Sequence, residues 1–289
     1  MTSPFAAVTR PDPTGPGRYA GVIDGSWNLR PLPQGGVVTA LAARAMVVEL
    51  GDEVPPLRTL HTTFVAPVAD GPVDIGVEVL RRGRSMSHAR AEVRNPGATH
   101  GHLTTAVFGG ARRGFAFTDL EPPDGARPLA EARSFRDPPP PGVDPFPPDP
   151  FWAGRLEGRS ALGHAGWESY TPGRAEHALW YRLDDPPVGA DGVLDPLALI
   201  VMADSMPGAV AEKVGPEQRQ GWFGPSVDLT VHLLDECRSE WVLAHNRARY
   251  AGDGYASVDM ALWDCGIDGI DPPRLVAYAT QLCFFAFAD

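Results

Sequence analysis

The chain has 289 residues, 43% of them hydrophobic, which suffices for one large packed domain or two ordinary ones and excludes a chain disordered throughout. Its 25 lysines and arginines stand against 36 aspartates and glutamates, so a formal charge of -11 argues against nucleic acid as a partner. Apolar residues nowhere run together for about 18 positions, so we expect no membrane-spanning helix and no membrane partner.

The cysteines and the first residues of the chain indicate the cellular compartment of the protein. Cys237, Cys265 and Cys283 cannot all pair within one chain, and their spacing matches neither a zinc site nor a CxxC motif. We therefore expect reduced thiols. The first residues lack the charged start and apolar core of a signal peptide. Together these features predict a cytoplasmic protein.

The first 114 residues predict one helix among strands. Arg18–Arg30 alternates loosely and predicts an opening strand or hairpin, after a Pro/Gly-rich start that we expect to be mobile. Gly35–Leu50 is apolar nearly all round, and its length predicts a helix buried on most sides. Four strand-like segments follow, separated by turn formers: Leu57–Pro67, Pro72–Arg82, Ser85–Asn95 and His102–Gly109.

Residues 115–160 predict a linker. Eleven of the chain's 31 prolines lie between Pro122 and Pro150, and proline removes backbone donors and favours extended conformations. We therefore expect two domains, at residues 1–114 and 161–289, joined by this segment.

The second half repeats the order of the first. Glu176–Leu183 predicts a strand, and Asp195–Val214 predicts a helix. Four more strands are expected after it: Pro225–Leu234, Trp241–Tyr250, Tyr255–Asp264 and Leu275–Ala288. One long helix for about five strands joined by short turns is α+β, because parallel crossovers would need a helix between each pair. We predict a tandem (double) hotdog fold, two antiparallel sheets each wrapped around a central helix.

Asp204 places an acid in the middle of the second predicted helix, whereas the first helix has none there. It follows Leu197 by seven residues and Ile200 by four, so helical geometry puts it on their apolar face. A carboxylate in that position needs partners or has a raised pKa, and either condition suits a general base. A structural alternative stays open, because Pro207 interrupts the helix and Asp204 or Ser205 would then cap freed N–H groups.

Two further polar residues lie in predicted strands. Gln281 is surrounded by apolar residues in the last strand, so it must find hydrogen-bond partners, whether to pin backbone or to act chemically. Ser226 begins a strand whose polar face continues through Asp228, Thr230 and His232, and alone it is an ordinary strand-start serine. The chain has no G-x-S-x-G elbow, glycine-rich dinucleotide loop or histidine pair at metal spacing, so we expect no metal. A carboxylate, a hydroxyl and an amide can hold and deprotonate water.

Six segments carry a family resemblance. In the first half they are Gln34-Gly35-Gly36, His61–Pro67 (H-x-x-F-x-x-P) and Arg81–Ser87 with Arg90. In the second half they are Ala203-Asp204-Ser205, Ser226-Val227-Asp228 and Ala279-Thr280-Gln281. Together they resemble the acyl-CoA thioesterase II family, the bacterial TesB-type double-hotdog enzymes, over most of the chain outside the linker and the first residues.

The resemblance implies a hydrolase of acyl-CoA in lipid metabolism. Asp204 would be the base, with Ser226 and Gln281 orienting the water that attacks the thioester carbonyl, and no cofactor would be needed beyond the coenzyme A of the substrate. Ser226 replaces the family's usual threonine, while Leu229 and Leu282 stand where histidine and an acid are common. These departures keep the water-binding atoms and leave the substrate preference open.

Two binding assignments follow from the chemistry of thioester hydrolysis. Negative charge develops on the carbonyl oxygen, so the N–H groups of Gly35 and Gly36 at a helix start offer an oxyanion site, unless these glycines only turn the chain. Arg81, Arg82 and Arg84 form the only dense basic cluster and would contact coenzyme A phosphates, the alternative being a solvated hairpin.

Two other functions stay open. One is non-catalytic binding of acyl-CoA or an acyl carrier. The other is hydration of enoyl thioesters, which normally requires an acid–histidine pair, and only a spatial neighbour of Asp204 such as His232 would supply it. Exposed sheet edges are typical sites of self-association, so we also expect a homo-oligomer.

Overall fold

A computed structural model describes residues 3–143, 149–218, 221–266 and 272–287. The first half contains α1 (Pro4–Val8), β1 (Asp12–Gly15), β2 (Arg18–Ile23), β3 (Asn28–Leu29), β4 (Leu32–Pro33), α2 (Gly35–Leu50), β5 (Leu57–Phe64), β6 (Gly71–Arg82), β7 (Met86–Arg94) and β8 (His102–Gly109). The second half contains β9 (Arg133–Ser134), α3 (Pro150–Gly154), β10 (Leu156–Leu162), β11 (Glu176–Leu183), α4 (Pro196–Ala203), α5 (Gly208–Val214), β12 (Trp222–Phe223), β13 (Asp228–Leu233), β14 (Val242–Gly252), β15 (Tyr255–Asp264), β16 (Arg274–Phe284) and β17 (Ala286–Phe287).

Thirteen strands form one antiparallel sheet in the order β1-β2-β6-β7-β8-β5-β13-β16-β15-β14-β11-β10-β9. The two halves contribute the same arrangement, β2-β6-β7-β8-β5 in the first and β11-β14-β15-β16-β13 in the second. The halves join where β5 pairs with β13, with Thr230 opposite His61. The predicted tandem hotdog fold is confirmed, and its two sheets are continuous through this junction.

The two central helices meet between the halves. Eleven of the 16 residues of α2 are buried, because the helix packs on β5, β6, β7 and β8 of its own half and on α4 of the other. Seven of the 8 residues of α4 are buried as well. None of the described helices combines the length and the apolar character needed to cross a bilayer.

The second predicted helix is interrupted. The predicted helix Asp195–Val214 is divided into α4 and α5, with a break between Ala203 and Gly208. The helix breaks because Pro207 has no backbone N–H to donate to the preceding turn. Asp204 therefore follows the last turn of α4, and the prediction that it lies in mid-helix was wrong.

Two predictions about irregular segments also need correction. From residue 3 onward the start is folded: Ser3 caps α1, and Phe5 lies in the core against Trp27. The predicted linker contains β9 and α3, and its boundary at residue 160 falls inside β10, which pairs with β11 in the sheet. Proline content hid these elements, since α3 begins at a proline, a favourable first helical position, and anchors itself through buried Phe151. Residues 144–148 of that segment lie outside the described residues.

Candidate active site

Asp204, Ser226 and Gln281 meet at one point, although 77 residues separate the first from the last. Ser226 Oγ donates to Asp204 Oδ1 over 3.0 Å, and Gln281 Nε2 donates to the same oxygen over 2.6 Å. Gln281 Nε2 also donates to Ser226 Oγ over 2.7 Å. Asp204 is 8% exposed and Gln281 3%. The carboxylate, hydroxyl and amide therefore form one hydrogen-bonded cluster, the triad, that is nearly closed to solvent.

The N-terminus of α2 contacts the other side of the carboxylate. Gly36 N–H donates to Asp204 Oδ2 over 2.8 Å, and Gly35 N–H also interacts with the carboxylate. A helix N-terminus carries partial positive charge, so it favours the ionised acid. The N–H groups assigned from the sequence to a substrate oxyanion are thus directed at the protein's own base. That assignment is corrected, because in this arrangement Gly36 N–H already has an acceptor.

Close packing explains why the helix begins with two glycines. A Cβ on Gly36 would lie 2.7 Å from the carbonyl oxygen of Ile200 and 3.0 Å from Asp204 Cβ. A Cβ on Gly35 would lie 2.7 Å from the Phe64 ring and 2.9 Å from Asp204 Oδ2. Larger residues would push α2 away from α4. The glycine pair therefore permits contact between the helices of the two halves, which is more than a turn into the helix requires.

The surroundings of Asp204 set its acidity. Burial raises its pKa to about 6, while hydrogen bonds from Ser226, Gly36, Gln281 and Gly35 oppose that rise. The carboxylate is ionised at neutral pH and takes up a proton slightly below it. This is the range in which a general base works efficiently.

A β-bulge brings Ser226 to the triad. Thr230 pairs with Thr280, and Ser226 bridges to Cys283, so four steps along one strand match three along the other. Strict alternation predicts that Ser226 shares one polar face with Asp228, and the bulge separates the two: Ser226 bonds to Asp204 on the inner side. Asp228 instead accepts a backbone N–H of β16 over 2.7 Å.

Gln281 also presents an acceptor beside the base. Its Oε1 atom is buried and has no hydrogen-bond partner in the described part of the chain. Leaving such an oxygen unsatisfied is unfavourable by about 1–3 kcal/mol, so it is suited to accept a hydrogen bond from water or substrate.

The arginine cluster lies far from the triad. Arg82 donates to the carbonyls of Leu50 and Glu49, so its guanidinium caps the C-terminus of α2. Sixteen residues of helix span about 24 Å, and the triad lies at the opposite end. Arg81 and Arg84 are exposed at the same turn. The structure thus gives Arg82 a capping contact, and the assignment of Arg81, Arg82 and Arg84 to coenzyme A phosphates stays a prediction.

His232 does not reach Asp204. It is exposed on the outer face of β13, whereas the triad lies on the inner side, so the acid–histidine pair expected of a hydratase is not formed by these two residues. Among the described residues, histidine, cysteine, aspartate and glutamate side chains form no group of three that could hold a metal ion.

Two residues near the triad were missed as functional candidates. The Phe64 ring lies against Gly35 beside the carboxylate and packs edge-on against His102, with ring centroids 4.8 Å apart. Burial lowers the pKa of His102 to about 4, so its ring is neutral near pH 7. Gln34 is the second, and it donates to the backbone carbonyl of Asp204. Phe64 and Gln34 stand in segments that carry the resemblance, but nothing local in the sequence indicates contact with Asp204.

The double hotdog and the cluster of a carboxylate, a hydroxyl and an amide agree with the resemblance to the thioesterase II family. The description "Acyl-CoA thioesterase N-terminal domain" matches residues 23–109, and "Acyl-CoA thioesterase C-terminal domain" matches residues 128–285. These matches span more than half of the chain, which belongs to the acyl-CoA thioesterase family.

Several solved structures have folds similar to that of this chain. A hot dog fold protein of unknown function from Alicyclobacillus acidocaldarius has a TM-score of 0.78 and 22% identity, covering 100% of both chains. A putative thioesterase II from Thermobifida fusca has a TM-score of 0.76 and 21% identity, covering 98% of this chain and 97% of that one. The acyl-CoA thioesterase II TesB2 from Mycobacterium marinum has a TM-score of 0.70 and 21% identity, covering 99% of both. These likenesses show the fold. The chain matches no curated protein sequence.

Proposed function

We propose that the protein hydrolyses acyl-CoA thioesters to the free acid and coenzyme A, with water activated by Asp204, Ser226 and Gln281. The observation that carries the proposal is the buried Asp204 carboxylate, which accepts hydrogen bonds from both other members of the triad. Membership of the acyl-CoA thioesterase family supports the substrate class.

The chemistry follows from the geometry. Asp204 takes a proton from water while the water oxygen bonds to the thioester carbonyl carbon. The carbon–sulfur bond then breaks, and the departing thiolate takes up the proton. Ser226 Oγ donates to Asp204 and accepts from Gln281, so its orientation is fixed from both sides. The free Oε1 of Gln281 accepts the second hydrogen of the water.

The test is Asp204→Asn. Loss of the base should lower kcat at least about 100-fold, the usual minimum contribution of general base catalysis, while the circular dichroism spectrum stays unchanged. Release of free thiol is measured on short, medium, long and aromatic acyl-CoAs. Asp228→Asn is the matched control, because Asp228 lies two residues beyond Ser226 on the outer face and asparagine keeps its acceptor.

Full turnover in Asp204→Asn would reject Asp204 as the base. If the native protein is stabilised against heat by acyl-CoA but releases no thiol, the non-catalytic binding function takes the place of the hydrolase.

A further inference from the structure

Gln34 links the first turn of α2 to the end of α4. Its Oε1 accepts the N–H of Val37 over 3.0 Å and caps α2. Its Nε2 donates to the carbonyl of Val201 over 3.0 Å and to that of Asp204 over 2.8 Å. Gln34 is 2% exposed. One buried amide therefore accepts from the first turn of one helix and donates to two carbonyls at the end of the other.

The carbonyls need this partner because α4 ends early. The last four carbonyls of a helix have no partner within it, and the break before Pro207 prevents the next turn from supplying one. Gln34 supplies two of the missing donors. The backbone of Asp204 is thereby tied to α2, a helix of the other half of the molecule.

The same link positions the Asp204 side chain. With its own carbonyl held by Gln34, the residue extends Oδ2 to Gly36 N–H, two positions further along α2, and Oδ1 to Ser226 and Gln281. Without Gln34, the end of α4 can move away from α2. The carboxylate would then lose the Gly36 N–H and the favourable charge of the helix end.

We infer that Gln34 is a positioning residue for the general base, acting through the backbone of Asp204. The groups that bond to Asp204 are all uncharged, namely the amides of Gln34 and Gln281, the Gly36 N–H and the Ser226 hydroxyl. The titratable His102 stands behind Phe64 and is neutral near pH 7. The kinetic part of the inference depends on the proposed function, whereas the ionisation of Asp204 can be followed without turnover.

The matched control is Asn246, which holds α5 in the same manner. Its Oδ1 accepts the N–H of Ala209 over 2.9 Å, its Nδ2 donates to the carbonyl of Asp259 over 3.0 Å, and it is 2% exposed. Gln34→Ala and Asn246→Ala each remove a buried amide that caps a helix. Both should lose stability, but only Gln34 contacts Asp204.

Three quantities are measured in native protein and both variants. The pKa of Asp204 comes from ¹³C NMR of labelled aspartate carboxyls, with Asp204→Asn assigning the resonance, and kcat and KM come from thiol release against pH. Gln34→Ala should raise the pKa by about one unit, since the carboxylate loses a charge-assisted hydrogen bond. It should lower kcat at pH 7 about tenfold and change KM less than about threefold. Asn246→Ala should change none of these.

An unchanged Asp204 pKa in Gln34→Ala, or an equal shift in Asn246→Ala, would overturn the inference. If Gln34→Ala does not fold, Gln34→Met keeps the volume, removes the same hydrogen bonds and is judged by the same criteria. Failure of the native protein to release thiol would reject the proposed function alone, because the carboxyl titration still decides the role of Gln34.

Discussion

The carboxylate of Asp204 is buried and at the same time surrounded by donors, and these conditions move its pKa in opposite directions. Burial has the larger effect and raises the pKa to about 6, while bonds from Ser226, Gly36 and Gln281 oppose the rise. Residues far apart along the chain therefore fix the acidity of the candidate base.

Activity should follow the ionisation of Asp204. Because the base works as the carboxylate, kcat/KM should rise about tenfold per pH unit below pH about 6 and level off above it. Thiol release by a detector insensitive to pH measures this profile. A profile that is flat between pH about 4.5 and 7 would contradict it.

The stability that the native protein has relative to Asp204→Asn should depend on pH in the opposite sense to activity. The pKa of Asp204 in the folded state exceeds the ordinary value of 3.8, so protonation of Asp204 stabilises the folded state. The stability of the native protein therefore falls as pH rises from about 4 to 6. The uncharged variant should therefore be more stable than the native protein at pH 8, by at most about 3 kcal/mol, and lose this advantage near pH 4. Urea unfolding at both pH values measures the difference. A larger advantage at pH 4 would contradict the expectation.

Serine at position 226 should suffice in place of the family's threonine. Ser226→Ala removes a donor to Asp204 and an acceptor for Gln281, so kcat should fall about tenfold or more. Ser226→Thr keeps the hydroxyl and should stay within about threefold of the native protein, since threonine also restricts the rotamer. If both variants lose activity equally, the hydroxyl is not what Ser226 contributes.

At the scale of elements, periodicity and alternation predicted α2 and the four strands that follow each central helix, but they missed β10 and failed where the site is built. The break after Ala203 and the bulge after Ser226 each turn a side chain toward the triad. Pro207 signals the first irregularity in the sequence. Nothing local signals the bulge, because it depends on the pairing of Ser226 with Cys283 in a distant strand. The partners of the triad were predictable only through the family resemblance.

The contact between α2 and α4 predicts the effect of Gly36→Ala. Alanine favours a helix interior by about 1 kcal/mol over glycine, yet here its Cβ would meet the Ile200 carbonyl at 2.7 Å. We expect a net loss of about 1–3 kcal/mol in the free energy of unfolding, together with reduced turnover. Gly110→Ala is the control, because its Cβ would meet nothing within 4 Å and the change should stay within about 0.5 kcal/mol. A Gly36→Ala variant that is more stable than the native protein would show that α2 and α4 are free to move apart.

At the scale of the molecule, the two halves share an architecture but differ at their helix starts. The start of α2 receives Asp204 from the second half. The start of α4 is capped by its own Asp195, which accepts the Leu197 N–H over 3.0 Å and forms an ion pair with Arg44 of α2. The acid at the second helix start is therefore neutralised by a cation, and within the described part of the chain it has no serine–glutamine pair of the kind that holds Asp204.

This asymmetry predicts one substrate site per chain. Asp204→Asn should bind an acyl-CoA without consuming it, and calorimetric titration should give a stoichiometry of one. A stoichiometry of two would mean that the Arg44–Asp195 ion pair opens to form a second site.

The repeat itself was predictable from the sequence, since each half shows a long apolar helix followed by four strands. The joining of the two sheets into one could not be predicted from the sequence. It depends on β5 pairing with β13, where His61 Nδ1 lies 2.9 Å from Thr230 Oγ1, and local patterns do not reveal which edges of two similar sheets will meet.

Because the glycine pair and Gln34 come from one copy of the repeat while the acid they hold comes from the other, neither copy can diverge freely. Substitutions at the start of α2 are tolerated only if compensating substitutions occur at the end of α4. Chimeras that combine one half of this chain with the opposite half of a distant homologue should therefore fold more often than they function. Compensating pairs of substitutions should concentrate where the two helices touch.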